Sequence, residues 1–169
     1  MKSMTTSTPQ APRLIIKPWT EEQAADFLEL SNDEGFTQHL ITDYRQTSIE
    51  SAKAWIKNNS GKFAVIEKSS GNLIGMGGLT KWRFKDEELF DITYRLRSSA
   101  QGKGYGHELA RALVDFGFNE LHLDQITATI TPDNIPSKKL AEKLGMQFDQ
   151  RIELLGVPTD LYRLFAKER

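Results

Sequence analysis

A glycine-rich segment, residues 97–107, constrains this 169-residue chain most, because it joins a predicted strand to a predicted helix. The strand, Leu89 to Leu96, is indicated by apolar residues that alternate with polar ones. The helix begins at Tyr105 and carries apolar residues at helical spacing. These residues are Leu109, Leu113, Phe116 and Leu121. The segment therefore predicts a mixed α/β domain in which a loop opens a helix.

The glycines of this loop, Gly102, Gly104 and Gly106, favour an anion site. Glycine adopts positive φ and lets the backbone approach a ligand closely. The first N–H groups of a helix lack intrahelical partners and lie at the positive end of its dipole, where phosphate binds well. Lys103 either adds a cation there or is an ordinary solvated lysine. A tight turn without a ligand is the alternative interpretation of the loop.

Two familiar nucleotide loops do not match this spacing. The dinucleotide fingerprint requires Gly-x-Gly-x-x-Gly, whereas the third glycine here comes one residue too early, and no acidic residue clearly ends the next strand. The phosphate loop of nucleotide hydrolases requires Ser or Thr after Gly-Lys, but Gly104 follows Lys103. Neither fold is supported.

Composition excludes several classes of function. The net charge of -1 argues against a nucleic-acid surface, and the absence of cysteine excludes disulfides and thiolate chemistry. The three histidines are scattered without metal-ligand spacing, so no metal is expected. Residues 1–12 are polar and match neither a signal peptide nor a membrane span, which predicts a flexible lead-in and a cytoplasmic protein without membrane contact. Residues 13–169 are expected to form one domain.

Periodicity and turn residues predict the element order βααβββαβαββ. The predicted strands are 13–17, 63–67, 73–79, 89–96, 125–131, 146–154 and 159–165. The helix after residue 131 begins at the cap residue Asn134, which should accept from the Ser137 N–H, and ends before Gly145. Residues 34–47 are predicted to be irregular or short-helical, and residues 84–88 to be a charged connection.

The order of motifs resembles the GNAT N-acetyltransferase superfamily over nearly the whole chain after Pro12. Gln101-x-x-Gly104-x-Gly106 is similar to the first acetyl-CoA motif of that superfamily. Asn134-x-x-Ser137 and the segment 142–146 are similar to its second motif. The strand 91–96 resembles one in the branch that acetylates ribosomal protein N-termini.

The resemblance implies a mostly antiparallel, twisted sheet of about seven strands, splayed at the acetyl-CoA site and flanked by about four helices. The cofactor would be acetyl-CoA, as cosubstrate. Its pantetheine arm would lie along residues 92–96 and its pyrophosphate on the N–H groups of residues 102–106, with Gln101 ordering the loop. The implied contacts are Tyr94, Arg95, Leu96, Gln101, Gly102, Lys103, Gly104, Tyr105, Gly106, Asn134, Ser137 and Lys139, with Lys138 as an alternative to Lys139.

The resemblance also implies catalytic roles. Asp91 takes the place of the branch's Glu and would act as base through a water, since a carboxylate of pKa near 3.9 is a poor direct base; alternatively, it is a solvent-facing strand residue. Ser137 would lie near the departing sulfur, or is a serine of the capping turn. Asn134 would contact the cofactor arm or a water near the thioester. The tyrosine that many members use as acid is absent, because Leu140-Ala141 stands in its place.

The implied function is transfer of an acetyl group to a primary amine, on a protein N-terminus or a small molecule, by direct attack in a ternary complex. The missing tyrosine motivates an alternative, a catalytically weak or inactive acyl-CoA-binding module. A monomer or homodimer is expected, without a nucleic-acid partner. Aromatic candidates for contact with the acceptor are Phe36, His39, Tyr44, Trp82 and Phe84.

Overall fold

The computed structural model describes residues 7–41, 43–59 and 61–168. Its strands are β1 (Leu14–Pro18), β2 (Lys62–Glu67), β3 (Leu73–Phe84), β4 (Glu87–Leu96), β5 (Gln125–Ile130), β6 (Gln147–Leu154) and β7 (Val157–Phe165). Its α-helices are α1 (Ala24–Ser31), α2 (Glu34–Thr37), α3 (Ile49–Asn58), α4 (Tyr105–Asn119) and α5 (Ile135–Lys143). Of the predicted lead-in, residues 1–6 lie outside the described residues, whereas Pro9 and Ala11 are buried.

The described strands form one seven-stranded sheet in the order β1-β2-β3-β4-β5-β7-β6. All neighbours are antiparallel except β4 and β5, which are parallel. Within these two fully described strands a single residue pair, Asp91 with Thr127, defines the register. Beyond that pair the two strands diverge. The other five neighbouring pairs are antiparallel, which confirms the predicted mostly antiparallel fold.

The divergence leaves one edge of β4 open. The Arg97 N–H donates to the Ile74 carbonyl across the β3–β4 ladder at 2.8 Å. In an antiparallel ladder, alternate residues bond to the same neighbour, so the residues between them turn their backbone groups the other way. The backbone groups of Tyr94 and Leu96 therefore face the gap between β4 and β5.

Helices cover both faces of the sheet. On one face, α4 packs on a core that includes Ile92 of β4, Leu113 of α4 and Ile126 of β5. On the other face, α1, α2 and α3 enclose a smaller core around Phe27, Leu30, Phe36 and Met76. Gly77 lets α4 approach β3, because a Cβ at this position would lie 3.0 Å from Leu109 Cδ1. The splayed part of the sheet thus lies between two packed layers.

Two details of the predicted elements are wrong. Leu121 lies beyond the end of α4 and is 45% exposed, and Phe118 is buried in its place. Residues 84–88 are not a connection, since β3 and β4 continue to a tight turn at Lys85 and Asp86, whose φ values are 47° and 26°. Charged side chains occupy the exposed end of this hairpin, so the apolar alternation that marks a strand is lost there.

Candidate active site

Two cavities meet where β4 and β5 diverge. One, of about 320 Å³, lies beside Asp91 and Thr129 and is also lined by Leu155 of the β6–β7 turn. The other, of about 330 Å³, reaches the glycine loop at Gly102. The residues that line both cavities are His39, Tyr94, Arg95, Asn134 and Ser137. A ligand at the glycine loop and a second ligand at Asp91 would therefore meet beside Tyr94 and Ser137.

The glycine loop has the geometry of an anion site. Gly102 and Gly104 have φ values of 80° and 81°, in the left-handed region that favours glycine. Gly104 precedes α4, and no described side chain caps the helix there. Gln101 Nε2 donates to the Leu96 carbonyl at 3.1 Å, which joins the loop to the open strand, while Lys103 is exposed. Unpaired N–H groups at the start of α4 could therefore receive a phosphate.

Two residues that sequence comparison implied as cofactor contacts use their side chains for structure. The Tyr105 hydroxyl donates to Glu67 Oε2 at 2.7 Å, and the Arg13 guanidinium lies 4.3 Å from the centre of its ring. The Arg95 guanidinium donates to the carbonyl oxygens of residues 36, 38 and 39 at 3.2, 2.8 and 3.4 Å. It thereby holds the segment after α2 over the cavities. Both side chains are therefore held by other parts of the chain, although Arg95 still lines both cavities.

The start of α5 brings the Ser137 hydroxyl to the wall shared by the two cavities, where it meets the Tyr94 hydroxyl of β4. Asn134 Oδ1 accepts from the Ser137 N–H at 3.2 Å, which confirms the predicted cap. Ser137 Oγ lies 3.0 Å from Tyr94 Oη, which reaches α5 from β4. On the same helix Lys139 is exposed, whereas Lys138 Nζ is bound to Asp160 at 2.9 Å. A tyrosine hydroxyl thus lies beside Ser137 although the helix itself supplies none.

Asp91 is an enclosed carboxylate at the end of the parallel pairing. Thr127 Oγ1 donates to one of its oxygens and Thr129 Oγ1 to the other, each at 2.8 Å. Burial raises the pKa of Asp91 to about 7, although these hydrogen bonds favour the ionised form. This pKa differs from the ordinary value near 3.9, and Asp91 is half-buried at a cavity wall. A group with this pKa can accept a proton at neutral pH without help from a neighbouring charge.

Sequence reasoning missed the residues that hold Asp91. Trp82 Nε1 donates to Thr127 Oγ1 at 3.0 Å, and the single proton of that hydroxyl has Asp91 as its nearer acceptor at 2.8 Å and the Phe90 carbonyl oxygen as the other at 3.3 Å. Thr127 is fully buried although it lies opposite the core face of β5. The run of threonines at alternate positions of β5 was the available signal, since hydroxyls on a buried sheet face require polar partners.

The aromatic candidates for the acceptor separate into two groups. His39 and Tyr44 line the cavity beside Asp91. Phe36 is fully buried in the smaller core, so its proposed contact with the acceptor is wrong. Trp82 holds Thr127 as described, and the ring of Phe84 packs 5.7 Å from its ring centre. The two aromatic candidates that line the cavity beside Asp91 therefore both belong to the segment that follows α2.

The described residues contain neither a metal-binding cluster nor a membrane-spanning helix. No group of three or more His, Asp or Glu side chains is arranged to hold a metal ion. No helix in this part of the chain is long and apolar enough to cross a membrane.

Comparison with known proteins shows the family to which the chain belongs. The family model described as "Acetyltransferase (GNAT) domain" matches residues 13–147. The chain is 36% identical over 139 residues to the "Uncharacterized N-acetyltransferase YnaD" of Bacillus subtilis (strain 168), which covers 80% of this chain and 79% of that protein.

Solved structures share the fold. A GNAT-family acetyltransferase from Bacillus anthracis superposes with a TM-score of 0.80 at 24% identity, covering 95% of this chain and 99% of that one. RimL, described as a ribosomal L7/L12 alpha-N-protein acetyltransferase in complex with coenzyme A, has a TM-score of 0.79 at 16% identity, with 93% and 96% covered.

Proposed function

Because this chain belongs to the GNAT acetyltransferase family and is an N-acetyltransferase, we propose that it transfers the acetyl group of acetyl-CoA directly to a primary amine. The acceptor would be a protein N-terminus or a small molecule. The observation that carries the proposal is that Asp91, with a pKa raised to about 7, lines a cavity that meets the one at the glycine loop. The similarity in fold to RimL, which acts on a protein N-terminus, supports the first class of acceptor.

The donor would bind along the open edge of β4 and the glycine loop. The gap-facing backbone groups of Tyr94 can pair with the amides of the pantetheine arm, as in strand addition. The Leu96 carbonyl already accepts a hydrogen bond from Gln101, so the Leu96 N–H is the backbone group of that residue that remains for the ligand. The N–H groups that precede and begin α4 suit the pyrophosphate. Acetyl-CoA supplies the thioester, whose carbonyl carbon the amine attacks.

Asp91 would accept the proton of the acceptor. A lysine-like amine has an ordinary pKa near 10.4 and an α-amine near 8, so both are largely protonated at neutral pH. A carboxylate with a pKa of about 7 takes up such a proton, directly or through one water, more readily than an ordinary aspartate does. The neutral nitrogen then forms its bond to the carbonyl carbon as the carbon–sulfur bond breaks, and the second proton that the nitrogen loses balances the one that the sulfur gains.

Ser137 and Tyr94 would return a proton to the departing sulfur. A thiolate has an ordinary pKa of about 8.5 and needs little help to leave. Ser137 Oγ can donate to it while accepting from Tyr94 Oη, 3.0 Å away. Burial raises the pKa of the Tyr94 phenol, which keeps it protonated. The strand thus supplies the phenol that α5 lacks.

The proposal is tested by free-thiol release from acetyl-CoA with a panel of peptides and small amines. The matched control for each peptide is the same peptide with its N-terminus already acetylated. Thiol release with a free amine, but not with its blocked counterpart, is expected. Tight acetyl-CoA binding by calorimetry without thiol release from any amine would contradict the proposal and leave a binding module.

A further inference from the structure

A smaller cavity of about 200 Å³ opens beside Asp91 and contains a lysine. The strand register shows which residues form the floor of this cavity. Lys62 of β2 pairs with Gly78 of β3, and Gly78 pairs with Thr93 of β4. In the next row, Thr80 pairs with Asp91. Directly paired residues, and residues two apart on a strand, share one face of a sheet. The lysine and the aspartate therefore project from the same face.

No side chain separates the two ends of the first row. Gly78 stands between Lys62 and Thr93, and a Cβ at this position would lie 2.7 Å from the Gly61 carbonyl oxygen. The glycine is therefore required by close backbone packing, and it leaves the floor of the cavity open. A ligand at Asp91 can extend over this floor to Lys62.

Lys62 carries an unbalanced charge. Its side chain is half-buried, and its Nζ lies 5.8 Å from the centre of the Tyr44 ring, which lines the same cavity. Burial lowers the pKa of Lys62, and no carboxylate of the described chain contributes in the opposite direction. A partly buried ammonium without a counter-charge is costly, and an anion bound beside it would remove that cost.

A second polar group in this cavity also lacks a partner. Thr80 Oγ1 is buried and forms no hydrogen bond with any described residue. Buried hydroxyls in native proteins nearly always have a partner, so an unpaired one at a cavity wall indicates a missing acceptor or donor. Lys62 and Thr80 are hydrogen-bond donors, and both line the cavity on the face that carries Asp91.

We propose that the acceptor carries a carboxylate as well as its amine, and that Lys62 and Thr80 bind the carboxylate while Asp91 receives the amine. The inference rests on the proposed function and names its acceptor class. Lys62 and Asp91 are separated by two inter-strand spacings across the sheet and by two residues along a strand. Together these steps give roughly 12 Å between their Cα atoms. Even with the side chains reaching inward, several bonds must separate the two groups of the acceptor. ω-Amino carboxylates and short peptides with an acidic side chain fit this requirement.

The test compares β-alanine, γ-aminobutyrate and ε-aminocaproate with their primary amides, by the kcat/KM of thiol release. A charge-assisted hydrogen bond should make each carboxylate of suitable length roughly ten- to a hundredfold better than its amide. Lys62→Met should remove this preference, and Lys62→Glu should transfer it to diamines. Lys17→Met, at an exposed lysine on the neighbouring strand β1, should leave it unchanged.

A binding measurement separates this inference from the proposed function. ε-Aminocaproate should raise the thermal unfolding midpoint of the wild-type protein, but not of Lys62→Met, even without acetyl-CoA. Equal kcat/KM values for carboxylates and amides would overturn the inference while leaving the acetyltransferase intact. An unchanged preference in a folded Lys62→Met variant would overturn it as well. If no amine is acetylated, the thermal shift still tests the inference. A shift in the wild-type protein that Lys62→Met loses supports it, and a shift that Lys62→Met retains overturns it.

Discussion

Replacing Asp91 by asparagine should stabilise the protein at alkaline pH while removing most of its activity. Burial raises the pKa of Asp91 from 3.8 to about 7, so between these values the folded state holds a proton that the unfolded state has lost. The free energy of unfolding therefore falls as the pH rises through this window. The full pKa difference corresponds to about 4 kcal/mol, all of it lost above the folded-state pKa.

The assay is urea unfolding of the wild-type and Asp91→Asn proteins at two pH values. Linkage predicts that the advantage of the variant grows by roughly 2 to 3 kcal/mol between about pH 5 and about pH 8. The effect on activity is measured as the dependence of kcat/KM on pH. The wild-type kcat/KM should bend near pH 7, where Asp91 ionises, and the variant should lose this bend together with roughly 10²- to 10⁴-fold in rate.

Asp160 provides a control of opposite sign. Hydrogen bonds from Arg151 and Lys138, together with their charges, lower the pKa of Asp160 below its usual range. Its contribution to stability is therefore present above the ordinary pKa and is lost as the pH falls. Asp160→Asn should destabilise the protein at pH 8 and matter less in acid. An Asp91→Asn advantage that does not change with pH would refute the reasoning, because it would show that Asp91 titrates normally.

Three further substitutions test the neighbours of Asp91 and the two ends of the donor site. Thr129→Val removes one of the two hydrogen bonds that favour the ionised carboxylate, so the bend in the pH–rate profile should move to higher pH; an unmoved bend would contradict this. Tyr94→Phe should lower kcat about tenfold with little change in KM, and should add nothing to Ser137→Ala if the two hydroxyls act together. Gly104→Ala forces alanine to a φ of 81° and should cost about 1–2 kcal/mol of stability and weaken acetyl-CoA binding. Gly71→Ala, at a φ of 75° in the β2–β3 turn, should cost similar stability without affecting the dissociation constant.

Local patterns predicted the elements, while the chemistry of the site depends on distant contacts. The strand, glycine loop and helix around Gly104 follow from periodicity and turn residues within a few positions of each other. The environment of Asp91 does not, since its hydroxyl partner Thr127 is 36 positions away. The Tyr94–Ser137 contact spans 43 positions. A pKa depends on burial and on such neighbours, so the sequence alone predicted an ordinary carboxylate.

The sparse pairing of β4 with β5 also has a mechanical consequence. Only one register pair links β4 to β5 in the described chain. The sheet therefore consists of two parts, β1–β4 and β5–β7, with little backbone pairing between them. Leu113 of α4 belongs to the same buried core as Ile92 of the first part and Ile126 of the second, so this core helps to keep the two parts aligned. Helix α4 therefore spans the junction at which the proposed catalytic residues meet. A change of volume at Leu113 would misalign Asp91 and Ser137 without touching either.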